Sequence, residues 1–216
     1  MAAAIQLSNL RDVHLDVYDT LASEYERRSS QSTSNVNRRI DVLLSHLRNG
    51  SSVIDVGCGV GLAMQAMRSR GLRPTGIDLS PRMAEYARRR NPGLDVMVGD
   101  FMTADFAQTF DAIWEQALIH LYPKSLVGTL LSRFYDSLND RGVLSVSTTL
   151  AQRSAEGWLP KDGYGNHLRF RKHWTIDELS TTLRSANFEP VETSIMPDPL
   201  IAGKRWVAIT ALKASC

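Results

Sequence analysis

A chain of 216 residues with 43% hydrophobic and 22% charged residues is long and apolar enough to bury one domain-sized core. Its formal net charge of +2 is too small to mark a nucleic-acid binder by itself, and no apolar run approaches the length of a membrane span. The two cysteines, Cys58 and Cys216, have neither metal-ligand nor disulfide-framework spacing, and the opening Met-Ala-Ala-Ala-Ile lacks the basic and apolar runs of a secretion signal, so a reducing cytoplasm is expected.

Along the chain, Val13, Val17, Leu21, Ala22 and Tyr25 recur every three or four residues and predict a helix over 12–28. The polar stretch 29–35 reads as a loop. Val36, Ile40, Leu43, Leu44 and Leu47 predict a second helix over 36–48, so that residues 1–48 form a helical cap ahead of a domain at 49–216. The period then changes. Strands are predicted at 52–56, 73–77, 94–98, 110–114 and 142–149, with helices at 61–70, 81–90 and 124–138. Strand–helix alternation implies a parallel sheet with helices on both faces. Ser80-Pro81 supplies an N-cap and a helix-starting proline. Arg88-Arg89-Arg90 closes that helix, where cations favour the dipole. Thr175-Ile-Asp-Glu178 is a capping box, and Asn187 stands where a left-handed residue would end the helix. Residues 188–195 and 206–212 read as strands with no helix between them, hence an antiparallel hairpin at the sheet edge.

The densest chemical signal is Val53-Ile-Asp-Val-Gly-Cys-Gly-Val-Gly61. An apolar strand ends at a carboxylate, Asp55, and glycines follow at 57, 59 and 61. Alternate glycines let the backbone turn tightly and let a ligand approach main-chain N–H groups. A strand, a glycine turn and a helix start make a nucleotide site. Cys58, inside the turn, is either a space-filling residue or a reactive thiol at a helix start. The dinucleotide fingerprint G-x-G-x-x-G does not fit, because the third glycine comes one residue early. Gly76-Ile-Asp78 places Asp78 just past the second strand, where a carboxylate accepts from ribose hydroxyls. Gly99-Asp100-Phe101 follows the third strand and suits an adenine amine with an aromatic beside it.

These three motifs, in this order, resemble the class I S-adenosylmethionine-dependent methyltransferases over about residues 50–150, and more loosely over 174–212. The resemblance implies an α/β, Rossmann-like seven-stranded sheet of order 3-2-1-4-5-7-6 with strand seven antiparallel. It implies S-adenosylmethionine as cofactor and S-adenosylhomocysteine as product. Asp55, Gly57, Cys58, Gly59 and Gly61 would lie at the methionine end, with Glu115 and Gln116 after the fourth strand. Asp78, Leu79 and Met83 would flank the ribose, and Gly99, Asp100 and Phe101 the adenine. Tyr18 and Tyr25, in the N-terminal helix, resemble a cap over the cofactor. The fifth-strand end, Ser145-Val-Ser-Thr-Thr149, lacks the acid of the metal-dependent branch, so no metal is expected. The asparagine-proline tetrapeptide of nucleic-acid amino-methyltransferases and any appended RNA-binding module are also missing. A small-molecule acceptor, aromatic or polar, is therefore expected, with neither nucleic acid nor membrane as partner and the oligomeric state left open.

Two segments carry the acceptor chemistry. His120, in Leu118-Ile-His-Leu-Tyr122 after the fourth strand, titrates near neutrality and is the candidate base; an orienting role is the other reading. Tyr122 borders the same segment. Residues 150–173 form a long connection with Trp158, Tyr164, His167 and Arg169, read as a substrate lid. Arg169 and His167 suit an acidic or phenolic acceptor, and a buried salt bridge fits them equally. The alternatives are a nicotinamide-dependent oxidoreductase, which the glycine spacing disfavours, and a non-catalytic adenosyl-binding protein.

Overall fold

A computed structural model describes residues 7–29, 33–161, 163–165 and 167–214. Cys216 and the opening pentapeptide lie outside the described residues. Two helices, α1 (Leu7–Arg28) and α2 (Thr33–Leu44), precede β1 (Ser52–Val56), α3 (Leu62–Arg68), β2 (Arg73–Asp78), α4 (Pro81–Arg90), β3 (Val96–Val98) and β4 (Phe110–Gln116). A 3-10 turn at Ile119–Leu121 leads to α5 (Lys124–Ser137), β5 (Leu138–Thr149), β6 (Ala155–Pro160), β7 (Leu168–His173), α6 (Ile176–Ser185), β8 (Phe188–Pro197) and β9 (Arg205–Lys213).

Seven strands form one sheet of order β3-β2-β1-β4-β5-β9-β8. β1 to β5 pair in parallel, and β9 runs antiparallel to both β5 and β8. This is the expected 3-2-1-4-5-7-6 order, since β6 and β7 stand apart as a two-stranded hairpin. Side chains alternate across the sheet, as the strand period of two requires. Ile54, Val56, Ile113, Leu144 and Val146 pack against α5 and α6 through Val127, Leu130, Phe134, Leu179 and Leu183. Val53, Ala112, Trp114 and Val143 face the other way, onto Val36, Ile40 and Leu43 of α2 and Ala63 and Met67 of α3. The second helix is thus a sheet-face layer, while α1 lies further out.

Ser80 Oγ accepts from Met83 N at 3.1 Å with Pro81 at the first helical position, and Asn187 adopts φ 60°, both as expected. The Thr175 capping box forms by half: Thr175 Oγ1 accepts from Glu178 N at 3.2 Å, while the Glu178 carboxylate accepts from Lys124 Nζ and Lys172 Nζ instead. Asp19 of α1 accepts from Ser80 Oγ at 2.6 Å and from Arg82 N at 3.0 Å. This carboxylate docks α1 on the positive N-terminus of α4.

Three expectations shift. α1 begins at Leu7 rather than 12. α2 occupies 33–44 rather than 36–48, and of the expected loop residues 30–32 lie outside the described ones. Past Leu44 the backbone tightens to i−3 hydrogen bonds, from Ser45, His46 and Leu47, which ends the helix. The 150–173 connection contains the β6–β7 hairpin, registered from Ala155↔His173 to Pro160↔Leu168. Its strands escape the sequence pattern because buried positions of β7 carry Arg169, Arg171 and Lys172.

Candidate functional site

The carboxyl ends of the parallel strands open into a cavity of about 340 Å³, where α/β sheets bind ligands. Its floor is the glycine turn. Gly57, Gly59 and Gly61 have φ of 71°, 53° and 77°, the left-handed region that glycine enters without a Cβ penalty. The three do different jobs. A Cβ on Gly59 would meet nothing within 4 Å, so its face is open to the cavity. On Gly57 it would meet Leu118 Cδ1 at 3.3 Å. On Gly61 it would lie 2.9 Å from Ala87 Cα, so this glycine lets α3 approach α4 and stands outside the cavity wall. Cys58 is buried, which pushes its thiol well above the ordinary range and keeps it protonated. That favours the space-filling role.

Two carboxylates flank the turn. Asp78 accepts from Gly59 N at 2.8 Å through Oδ2 and from Ser80 N at 2.9 Å through Oδ1. Burial raises its pKa to about 6 despite these two N–H donors. Asp55 is 2% exposed, and its Oδ2 has no hydrogen-bond partner. Burial, reinforced by the charge of Asp78, raises it to about 8, while Arg39 pulls the other way. Leu79 and Met83 line the cavity beside Asp78, and Gly99, Asp100 and Phe101 continue that wall. Asp100 Oδ1 accepts from Met102 N at 2.9 Å; the Phe101 ring packs against Phe106 and Phe134.

After β4 the chain turns at Ala117, whose φ of 66° is unusual for a residue with a Cβ. Glu115 explains how the turn holds. Its carboxylate accepts from the N–H groups of Leu118, Ile119 and Ser147. It is fully buried in that role and lies outside the cavity wall. Gln116 and Ala117 do line the cavity. Arg39, reaching up from α2, donates to Gln116 Oε1, to Ser145 and Ser147 Oγ and to two carbonyls, and lies 3.9 Å over the Trp114 ring. Its burial lowers its pKa to about 10, so it stays charged at neutral pH.

His120 sits in the 3-10 turn, 3% exposed, with Nδ1 3.0 Å from Thr148 Oγ1. Burial, and then the charges of Arg171, Arg169, Lys161 and Lys204, push its pKa well below 6.5. The imidazole is therefore neutral at physiological pH. Tyr122 lines the cavity nearby, its hydroxyl held protonated by burial.

The roof comes from α1 and the hairpin. Tyr18 and Tyr25 ring centroids lie 6.0 Å apart, and Tyr25 stacks on Tyr164 at 5.0 Å and 16°. Lys161 Nζ lies 4.5–5.3 Å from all three ring centroids. Such aromatic faces stabilise a desolvated cation. Arg169 lines the cavity at 3% exposure. His167 and Trp158 do not line it. His167 offers its carbonyl to Lys161 N, and Trp158, 43% exposed, packs edge-on against Phe170.

The structure thus gathers Tyr18, Tyr25, Asp55, Gly57, Cys58, Gly59, Asp78, Leu79, Met83, Gly99, Asp100, Phe101, Gln116, His120, Tyr122, Tyr164 and Arg169 around one cavity. The sequence did not single out His14, Arg39, Lys161, Arg171, Lys204 or Trp206, which share it. Arg169 and Arg171 lie in β7, where four consecutive residues are buried and three of them are charged, so no apolar pattern marks them. Among the described residues no group of three His, Cys, Asp or Glu is placed to hold a metal ion, and no helix is long and apolar enough to cross a membrane.

Sheet order and cavity position define a Rossmann-like α/β protein with a cavity at its switch point. Residues 53–142 match the family model described as "Methyltransferase domain". The chain is similar to dTDP-4-amino-2,3,4,6-tetradeoxy-D-glucose N,N-dimethyltransferase of Saccharopolyspora spinosa, 30% identical over 100 residues, covering 46% of this chain and 39% of that protein. It is also similar to malonyl-[acyl-carrier protein] O-methyltransferase of Serratia marcescens, 28% identical over 155 residues, 67% of this chain and 60% of that one. The chain therefore spans less than two thirds of the length of these two curated relatives. Among solved structures, the Burkholderia thailandensis 1,6-didemethyltoxoflavin-N1-methyltransferase with bound 1,6-didemethyltoxoflavin and S-adenosylhomocysteine superposes with a TM-score of 0.80 at 21% identity, covering 100% of this chain and 93% of that one. Over residues 53–142 the chain is thus similar to S-adenosylmethionine-dependent methyltransferases, and its fold is that of the class I, Rossmann-like members.

Proposed function

We propose that the protein transfers a methyl group from S-adenosylmethionine to a small-molecule acceptor, releasing S-adenosylhomocysteine. One observation carries this reading. A single cavity joins an open left-handed glycine, a ribose-ready carboxylate and a buried neutral histidine. The donor and acceptor set suits the cofactor. Asp78 keeps acceptor capacity beyond its two N–H bonds and would take the ribose hydroxyls, with Leu79 and Met83 beside it. Asp100 and Phe101 would border the adenine. Asp55, whose Oδ2 lacks a partner, and the faces of Gly57 and Gly59 would border the methionine portion, with Gln116 beyond. Glu115 and Gly61 support this site from behind.

S-adenosylmethionine supplies an electrophilic sulfonium methyl; the chain's contribution is placement and exclusion of water. Holding reactants in line supplies much of a two-reactant acceleration. Tyr18, Tyr25 and Tyr164 roof the cavity and shield it. His120 Nδ1 lies 3.0 Å from Thr148 Oγ1; we assign the tautomer in which Nδ1–H donates to that hydroxyl, which leaves the Nε2 lone pair to accept. The surrounding cations make the imidazolium costly, so we assign His120 to orienting the acceptor by accepting a hydrogen bond. Tyr122 lies beside the acceptor in this reading. The remaining lid residues, Trp158 and His167, shape the hairpin rather than the cavity.

The acceptor is a small metabolite, with neither nucleic acid nor membrane as partner, and the setting is the cytoplasm, which a buried free Cys58 suits. Isothermal titration with S-adenosylmethionine, S-adenosylhomocysteine and NADH tests the cofactor. Micromolar binding of the first two is the expected outcome, and binding of NADH alone would overturn the reading. Transfer of a labelled methyl group into a metabolite extract separates an enzyme from a non-catalytic binder.

A further inference from the structure

The cavity is lined by charges of both signs. Asp55, Asp78 and Asp100 come from the strand ends. Around His120 it gathers Lys161, Arg169 and Arg171 from the hairpin and Lys204 from the loop before β9. Lys204 pairs with Asp198 at 3.7 Å. That Asp198 also accepts from Trp206 Nε1 at 2.8 Å. Arg171 donates to Thr149 Oγ1 and Lys161 leans on the tyrosine rings. Arg169 differs: it is 3% exposed, it lines the cavity, and its Nε and Nη1 meet no acceptor. A buried guanidinium with two unpartnered donor nitrogens is costly to fold. Evolutionary economy aside, the chemistry that relieves that cost is an oxyanion accepting charge-assisted hydrogen bonds. The nearby His14 feels the same field: burial first, then Arg169, lowers its pKa to about 4.

Resting on the methyl-transfer reading, we infer that the acceptor carries a carboxylate or equivalent oxyanion, held by Arg169 of the hairpin. A carboxylate has two candidate sources, the acceptor and the methionine portion of the cofactor itself. β7, which carries Arg169, packs on the 3-10 turn that carries His120, and this favours the acceptor.

The test is calorimetry on protein saturated with S-adenosylhomocysteine. Benzoate, 4-hydroxybenzoate and malonate are titrated beside their neutral amides, benzamide, 4-hydroxybenzamide and malonamide. At least one acid should bind at least tenfold more tightly than its amide. Arg169→Met should erase that preference, and Arg169→Lys should retain part of it. Both variants should hold S-adenosylhomocysteine within about twofold of the wild type, which also shows that they fold. Equal binding of acids and amides, or no binding of either, overturns the inference. A tenfold loss of S-adenosylhomocysteine affinity in Arg169→Met assigns the guanidinium to the cofactor's carboxylate and overturns it too. Failure of the wild type to bind S-adenosylhomocysteine sinks the methyltransferase reading, and this inference with it.

Discussion

Asp78 and Asp55 occupy adjacent strands yet face different conditions. Asp78 spends two lone pairs on Gly59 and Ser80 N–H groups and still titrates near 6 because it is buried. Ribose hydroxyls donate to the ionised form. Cofactor affinity should therefore be flat above pH 7 and fall as pH drops through about 6, as calorimetry across pH 5–8 would show. Asp78→Asn should weaken S-adenosylhomocysteine binding by roughly 10–100-fold, the worth of charge-assisted hydrogen bonds at about 1–3 kcal/mol. An unchanged dissociation constant would reject the ribose assignment. Asp55 gives a stability prediction instead. Its folded pKa of about 8 lies above the ordinary 3.8, so the folded state binds the extra proton between those values. Stability attributable to this group then falls as pH rises from about 4 to about 8. Asp55→Asn removes that penalty. Paired urea titrations of the ligand-free proteins should show the variant gaining on wild type from pH 5 to pH 8. A constant difference between the two would mean that the carboxyl is ionised throughout.

At the scale of elements, the glycine turn separates packing from ligand contact. Gly61→Ala forces a Cβ to within 2.9 Å of the α4 backbone, on top of a left-handed φ. Overpacking and backbone strain together should cost about 2–4 kcal/mol, read as a lowered Tm. Gly59→Ala meets no neighbour and should cost only the strain, about 1–2 kcal/mol. Its Cβ faces the cavity, so cofactor affinity should drop at least tenfold. Equal behaviour of the two variants would refute this division. The same contrast explains what was legible in the sequence. The turn, Asp78, Asp100 and the caps at Ser80 and Thr175 are written in a few consecutive residues, and their chemistry follows from local backbone geometry. Arg39 is different: it binds Glu115 and Ser145 through contacts 76 and 106 residues away, which no local pattern announces. The cationic group around His120 was hidden for the same reason. Arg169 and Arg171 join His120 and Lys204 only after the hairpin folds across the sheet end, and because Arg169 to Lys172 are all buried, three of them charged, β7 shows neither alternation nor an apolar run. Trp158 and His167 look like site residues by composition, but the hairpin pleat turns Trp158 onto Phe170 and keeps both outside the cavity wall.

For the whole molecule, the cavity closes only because distant segments meet over it. α1 is fastened to α4 by Asp19 and to the hairpin by the Tyr25–Tyr164 stack and by Arg28 Nη1 donating to Gly163 O at 3.1 Å. None of these contacts belongs to the main cores on either face of the sheet, so the roof is held by fewer buried apolar groups than the sheet beneath it. Local opening then draws on roof contacts alone, at lower free energy than global unfolding. A ligand held between floor and roof couples the two. At a concentration one hundred times its dissociation constant, S-adenosylhomocysteine should add about 2.7 kcal/mol of stability. For a domain of this size that raises Tm by about 5–11 °C. Hydrogen exchange locates the gain. Protection should rise over α1 and the β6–β7 hairpin as well as over the β1 and β2 ends. Protection confined to the strand ends would show that α1 and the hairpin do not close over the cofactor, and that Tyr18, Tyr25 and Tyr164 act only as packing.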